Sequence, residues 1–389
     1  MMKNIITLLF ICAVITGKSQ TKTFTVSGKI RGLDTKEMNI LFDDKSNPNG
    51  YRREKIPVTD GSFSYSSETN GPAYMTIWPN VDRTMKKVKS GGYYPAKSSQ
   101  FHCFVSPGAR IIFKGTITDF VNAYPSGDQT NNSFAKLLKS INPLQNKSVN
   151  ATVKITDKIV TDSVLLDKMR DSIKKWDEEV ITIKKNFLEK NPASIAAIWL
   201  LSDMIIRSQV TNDEAIAFFK KMDETKLVAV PYYKDVAKRI DGMSATGAGK
   251  PVPGIISHNT FDGTRFDLAV LKGKYIVLDF WGTWCGPCIA GMPKMKEYRD
   301  KYKDKLEIVG VASESDDGER WRKFLNDKPG FQWPQVLSKK NEEDFILKFN
   351  VAGFPTKIIV DPDGIIIARF VGEEDDIYKK LDEILSSSK

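Results

Sequence analysis

The spacing of apolar and polar positions changes character three times along this 389-residue chain. Between residues 21 and 130 the period is two. Phe24-Thr25-Val26-Ser27-Gly28-Lys29-Ile30 alternates apolar with polar, and so does Ser62-Phe63-Ser64-Tyr65. Further short runs follow at 38–42, 74–78, 101–105 and 111–113. Asp60-Gly61, Asn70-Gly71-Pro72 and Pro107-Gly108 punctuate them as turns. Short strands with such punctuation predict a small antiparallel domain, β-sandwich-like, over 21–130.

From 131 to 242 the spacing becomes helical. Residues 164–188 form a long, charged, amphipathic stretch. Asn191-Pro192 is expected to begin the next helix, with Asn as cap and Pro in the first turn. Residues 194–207 are apolar enough for a core helix, and 211–222 and 232–240 predict two more. This middle domain holds no His and no Cys. Residues 243–254 carry Gly247, Gly249, Pro251, Pro253 and Gly254, which marks a linker. From 255 to 389 strand and helix patterns alternate. Strands are expected at 275–280, 306–312, 356–360 and 365–370. Helices are expected at 287–302, 318–326, 342–349 and 374–385. Asp361-Pro362-Asp363-Gly364 joins the last two strands as a hairpin turn. The alternation predicts an α/β domain with a mixed sheet flanked by helices.

The first residues follow a different logic. Lys3 precedes an uncharged apolar stretch over 5–17, and Gly17-Lys18-Ser19 offers small residues where a signal peptidase reads. Residues 1–19 therefore read as a secretory signal peptide. The stretch is too short to span a bilayer comfortably. Phe10 and Ile11 stand where small residues would precede a lipidated Cys12, which argues against a lipid anchor. The expectation is a soluble protein exported to the periplasm or cell envelope of a Gram-negative bacterium. Cys103, Cys285 and Cys288 then remain, too few for a disulfide scaffold. Net charge is +10, yet from residue 250 onward 22 Lys/Arg meet 23 Asp/Glu. The basic excess lies earlier and is scattered, so it reads as a solvated surface rather than a nucleic-acid footprint. His102 and Cys103 are neighbours on a strand and point to opposite faces, which disfavours a metal site. His258 has no evident partner.

The chemistry concentrates in Trp284-Cys285-Gly286-Pro287-Cys288, which follows the apolar run at 275–281 and opens an amphipathic helix. Two thiols at this spacing form a reversible disulfide pair. Unpaired N–H groups and the helix dipole face the first sulfur and lower its pKa below the usual ~8.5. Cys285 is thus expected to be the exposed nucleophile and Cys288 the deeper resolving thiol. Pro287 takes an early helical position, and Gly286 leaves the nucleophile open. Trp281 and Trp284 are expected to flank the dithiol as an apolar rim. Asp279, six residues earlier among apolar neighbours, reads as a buried carboxylate whose charged form burial disfavours.

Trp281-Gly282-Thr283-Trp284-Cys285-Gly286-Pro287-Cys288 resembles the active site of the thioredoxin superfamily. Phe261-Asp262-Gly263, Leu271-Lys272-Gly273-Lys274 and Asp361-Pro362-Asp363-Gly364 narrow the resemblance to exported thiol-disulfide oxidoreductases of the TlpA/ResA type. The interval from Cys285 to Pro355 leaves room for that group's extra strand and helix, seen at 331–337 and 342–349. The resemblance covers about 250–389. It implies a cis bond at Phe354-Pro355, whose backbone lies beside the sulfurs and pairs with substrate, and a general-base role for Asp279 toward Cys288. It also implies a kink at Pro293. Two departures stand out: Gly291 occupies the place of a glutamate common in the group, and no lysine after Val311 matches the charged partner of plain thioredoxins. A peroxidase reading fails because Gly282, not Thr, stands three residues before Cys285.

Together these expectations make the chain a protein-disulfide reductase with Cys285, Cys288 and Asp279 as catalytic residues. Trp281, Trp284, Gly286, Pro287, Phe354 and Pro355 are the expected substrate-binding residues. The reading calls for no cofactor and no metal. Its partners are a disulfide-bearing protein and a membrane electron donor, with cytochrome c maturation one role the resemblance implies. An envelope oxidase or isomerase, or a binding protein using the fold as scaffold, are the alternatives. The motifs do not set an oligomeric state.

Overall fold

The computed structural model describes residues 22–44, 50–339, 343–372 and 375–386. The expected signal peptide and Cys12 lie outside the described residues.

The β-rich part comprises β1 (Thr23–Arg31), β2 (Glu37–Asp43), β3 (Tyr51–Pro57), β4 (Ser62–Glu68), β5 (Ala73–Trp78), the short β6 (Lys86–Lys87) and β7 (Tyr93–Tyr94), β8 (Phe101–Val105), β9 (Arg110–Ile117) and β10 (Val121–Ser126). Two four-stranded sheets form, ordered β10-β9-β1-β4 and β3-β2-β5-β8. Alternation decides what faces inward: Phe24 and Val26 of β1 meet Met38, Ile40 and Phe42 of β2 in one shared core. The sandwich is not wholly antiparallel as expected, because β1 and β9 run parallel. The whole second sheet and β4 are laid down between β1 and β9, which gives the chain the long crossover a parallel pair needs. Along β8, Cys103 faces the sandwich core and is fully buried, while His102 and Phe104 face the helices. Cys103 forms no disulfide, and burial pushes its thiol far up.

The helical part holds α1 (Gln129–Thr156), α2 (Ser163–Lys190), α3 (Ile195–Ile206), α4 (Asn212–Lys221), α5 (Glu224–Leu227) and α6 (Pro231–Ala245). Asp128 caps α1 through the Asn131 N–H, and Thr211 and Glu214 form a capping box on α4. Asn191 does not start a helix as expected. It closes α2, donating its side-chain amide to Phe187 O at 2.9 Å, and Ser194 caps α3 instead. α6 runs to Ala245, so the expected linker begins inside its last turn.

Sandwich and helices share a polar-edged aromatic seam. Tyr74 stacks on Trp199 at 3.9 Å between centroids, and its hydroxyl lies 2.7 Å from His102 Nδ1. His102 Nε2 donates to Lys97 O at 2.8 Å. Asn131 of α1 pairs its side-chain amide with both backbone groups of Phe104, at 2.9 and 2.8 Å.

The C-terminal part follows with β11 (Ile256–Ser257), β12 (Phe266–Asp267), β13 (Tyr275–Trp281), α7 (Gly286–Lys301), β14 (Leu306–Ala312), α8 (Glu319–Asp327), β15 (Gln335–Leu337), α9 (Phe345–Lys348), β16 (Thr356–Val360), β17 (Ile366–Val371) and α10 (Asp376–Ser386). Its five-stranded sheet has the order β15-β14-β13-β16-β17. β13, β14 and β15 are parallel, and β16 and β17 antiparallel. β13 is central and apolar on both faces, with Ile276, Leu278 and Phe280 on one side and Val277 and Trp281 on the other. The helix expected at 342–349 shortens to α9. No described helix is long and apolar enough to cross a membrane.

α6 joins the helical part to this domain at close quarters. A Cβ on Gly242 would stand 2.6 Å from Lys348 O, so only glycine lets α6 lie against the end of α9. Arg239 of α6 donates to Val351 O at 3.3 Å.

Candidate active site

β13 ends at Trp281, and four residues later the chain enters α7. Cys285 is the N-cap of α7: its Sγ lies 3.3 Å from the Cys288 N–H, and its carbonyl accepts from Ile289. Pro287 sits in the first turn, and Pro293 lies inside the helix. Cys285 and Cys288 are joined by a disulfide, Cα atoms 5.3 Å apart. The helix mouth therefore presents unpaired N–H groups to the Cys285 sulfur. Gly286 is exposed, and a Cβ there would meet nothing within 4 Å.

The approach loop is tied down on its other side. Glu314, just after β14, accepts from the Thr283 N–H at 2.6 Å and from the Thr283 hydroxyl at 3.0 Å. Trp284 donates its indole N–H to Ser313 O at 2.8 Å and lies over Gly282, where a Cβ would come within 2.5 Å of that nitrogen. Trp284 remains 54% exposed and meets Phe354 edge to face at 5.0 Å. The Phe354–Pro355 bond is cis, and Pro355 O accepts from Gly372 N–H at 2.8 Å.

Two expectations are corrected. Cys285 is only 4% exposed, not an open nucleophile, because in the closed pair its sulfur turns inward among Trp281, Cys288 and the helix core. Trp281 is no rim residue either. It lies wholly inside, donates its indole N–H to Gln335 Oε1 at 3.1 Å and packs on Phe324. Odd positions of β13 face α7, and Trp281 is an odd position in mid-sheet.

The same parity places Asp279 on the α7 side, with Val277 and Trp281. Asp279 is 2% exposed. Opposite it in the antiparallel register stands Lys357 of β16, equally buried, its Nζ 3.9 Å from Asp279 Oδ1. No lysine was expected here: the position where one would match follows Val311 on β14, whereas this one comes across from β16. The signal was a lone lysine inside the otherwise uncharged run Thr356-Lys357-Ile358-Ile359-Val360, which is buried throughout. Among the described residues no group of His, Cys, Asp and Glu is placed to hold a metal ion.

Known proteins resemble the C-terminal part of this chain. A thioredoxin-like family profile matches residues 273–366. The thiol-disulfide oxidoreductase ResA of Bacillus thuringiensis (strain Al Hakam) is 34% identical over 127 residues, 32% of this chain and 70% of that protein. The chain belongs to the thioredoxin-like thiol-disulfide oxidoreductases. The thioredoxin-like protein YneN of Bacillus subtilis (strain 168) is 33% identical over 129 residues, 32% of this chain and 74% of that protein. Among solved structures, the thioredoxin domain of a thiol-disulfide oxidoreductase from Bacteroides vulgatus is 30% identical, covering 36% of this chain and 98% of that one at a TM-score of 0.33. In this oxidoreductase, Gly291 is buried within α7 and supplies no carboxylate near the dithiol. Asp279, with Lys357, is the buried acid on the α7 side of the sheet.

Proposed function

We propose that the protein is an envelope disulfide reductase working by dithiol–disulfide exchange through Cys285 and Cys288. The observation that carries this reading is the bonded Cys285–Cys288 pair at the mouth of α7. In the reduced protein, the Cys285 thiolate attacks one sulfur of a substrate disulfide. A mixed disulfide forms and one substrate thiolate leaves. Cys288 gives its proton to Asp279 and attacks Cys285 Sγ. The second substrate sulfur departs as a thiolate, two electrons have passed to substrate, and the closed pair remains. An external dithiol donor at the membrane restores the reduced form. Trp284 and Phe354 offer apolar surface beside the sulfurs, Gly286 and Pro287 leave the mouth clear, and the backbone before Pro355 pairs with an extended substrate segment.

The Gly286-Pro287 pair favours the reducing direction. Thioredoxin, with that dipeptide, has a potential of about −270 mV, against about −120 mV for the oxidant DsbA. The leader-like segment at 1–19 supports export, and cytochrome c maturation is a role consistent with both. Equilibration with glutathione buffers, read by thiol alkylation, tests the direction. A potential near the thioredoxin value is expected, with insulin reduction lost in Cys285→Ser. A potential near that of DsbA would replace reductase by oxidase, and full insulin reduction by Cys285→Ser would remove the dithiol from the function.

A further inference from the structure

Large apolar side chains left exposed on a folded protein mark surfaces that meet something else. Three of them lie on segments that carry the dithiol, flank the Pro355 loop or face the thioredoxin-like fold across a hollow. Trp284 precedes Cys285, Val371 ends β17, and Ile206 ends α3; Ile206 is 46% exposed and Val371 54%. Val371 pairs with Thr356, and a Cβ on Gly353 would stand 3.3 Å from its Cγ1, so it lies against the Pro355 loop. Ile206 belongs to the helical part, outside the thioredoxin-like fold.

Two hollows separate the end of α3 from that fold. One, of about 320 Å³, has a charged floor that includes Asp235 and Lys238 of α6; its walls are Ser202 and Ile206 of α3 on one side and, on the other, Ser313 and Glu314, which hold Trp284 and Thr283. The other, of about 380 Å³, is lined by Ile205 and Ser208 at the same helix end and by Ala352, Gly353 and Val371 beside Phe354. The tip of α3 thus borders both hollows. The far wall of each is a segment that carries or anchors one ring of the Trp284–Phe354 pair.

This opposite wall is fixed rather than hinged. α3 packs on α6, and α6 holds the chain leading into Pro355. Arg239 donates to Val351 O at 3.3 Å. Arg369 donates to Phe349 O at 2.8 Å, to Asn350 O at 2.7 Å and to Thr246 Oγ1 at 3.5 Å. The distance across the gap is therefore set by the same contacts that position the Pro355 loop.

We propose that the C-terminal end of α3, with Ile206 at its tip, is the second wall of the substrate cleft. Its occupant is an extended segment of a disulfide-bearing protein with apolar residues beside its cysteine. The proposal rests on the oxidoreductase reading above and adds to it what flanks the reacting sulfur. Continuity with Trp284 and Phe354 argues for this occupant, since one hollow is walled by Ser313, which anchors Trp284, and the other by Gly353, next to Phe354, while the exposed Ile206 and Val371 supply apolar contact. Two hollows, one against the segment that anchors Trp284 and one against the segment that carries Phe354, suit residues before and after a cysteine better than one compact ligand. A small disulfide reaches only the sulfurs and leaves the α3 wall untouched.

The test uses the full reduced chain and two probes: a symmetric peptide disulfide with leucine on both sides of its cysteine, and the small aromatic disulfide dithiobisnitrobenzoate. With Ile206→Asp, the ratio of kcat/KM for the peptide to that for the small disulfide falls about fivefold or more, and Ile206→Leu keeps the wild-type ratio. An unchanged ratio in Ile206→Asp overturns the proposal. Independently, Cys288→Ala traps the same peptide on Cys285, carrying benzoylphenylalanine two residues from the cysteine. Irradiation then crosslinks it to residues 202–208; crosslinks confined to 255–389 overturn the cleft while leaving the oxidoreductase reading intact. Failure of Cys288→Ala to trap any peptide overturns both.

Discussion

Asp279 and Lys357 bring a carboxyl group and an amine together under α7, each only 2% exposed and 3.9 Å apart. Losing one partner of such a buried pair leaves the other to bear the full cost of desolvation. Asp279→Asn is therefore expected to slow disulfide exchange near neutral pH by roughly tenfold or more, with less effect at alkaline pH where Cys288 ionises unaided. A flat comparison across pH would take Asp279 out of the proton path. Lys357→Met removes the positive neighbour, which moves the acidic limb of the pH–rate profile upward. An unmoved limb would make Lys357 a packing residue only. At this scale the sequence was informative wherever chemistry is local. Cys285, Cys288, Gly286 and Pro287 all lie within four consecutive residues, so their spacing carried their arrangement. Lys357 was hidden because its partner is 78 positions away in sequence and meets it only through strand register. Trp281 was misjudged for a related reason: proximity to a cysteine in sequence says nothing about which face of β13 a side chain takes.

Elements were legible where periodicity is strong and ambiguous where a residue type has two uses. β13, β14 and β16 lie where their apolar runs predict, because each is buried on both faces. Asn191 shows the limit, since asparagine closes helices as readily as it opens them, and only the Phe187 carbonyl decides between the two. The parallel β1–β9 pair could not be read at all, as strand direction is set by a connection of about 80 residues that leaves no local trace. Close packing between elements is equally silent in the pattern. Gly242 falls between the helix expected at 232–240 and the expected linker, yet it is the contact point of α6 with the end of α9. Gly242→Val is expected to destabilise the protein by about 1–3 kcal/mol, because the obstacle is a backbone carbonyl that cannot rotate away. Thermal melting checks this, and an unchanged midpoint would mean that α6 shifts without penalty.

The whole molecule is held by two seams, and they respond differently to pH. At the seam between sandwich and helices, burial pushes the His102 imidazole down to about 4 from 6.5. Its Nε2–H is committed to a carbonyl, which leaves Nδ1 to accept from Tyr74. Between those two values the unfolded chain binds a proton that the folded chain refuses. Stability therefore rises with pH through that window and is lost as acid carries the pH down through it. The loss is on the order of 3 kcal/mol at most. Melting midpoints of the wild type are expected to fall from pH 6.5 to 4, and those of His102→Gln to fall less; parallel curves would assign the acid sensitivity elsewhere. The seam at α6 relies instead on Arg239 and Arg369 bonded to backbone carbonyls, groups that do not titrate in that range.

Cys103 has its own consequence for the bench. Reduced native protein presents the pair at α7 to an alkylating reagent, while the third described sulfur is sealed between two sheets. Uptake of two equivalents, the first at the helix mouth and the second once the deeper Cys288 is uncovered, then counts the two electrons held by the enzyme. The slow third equivalent becomes a clock for how often the sandwich breathes open.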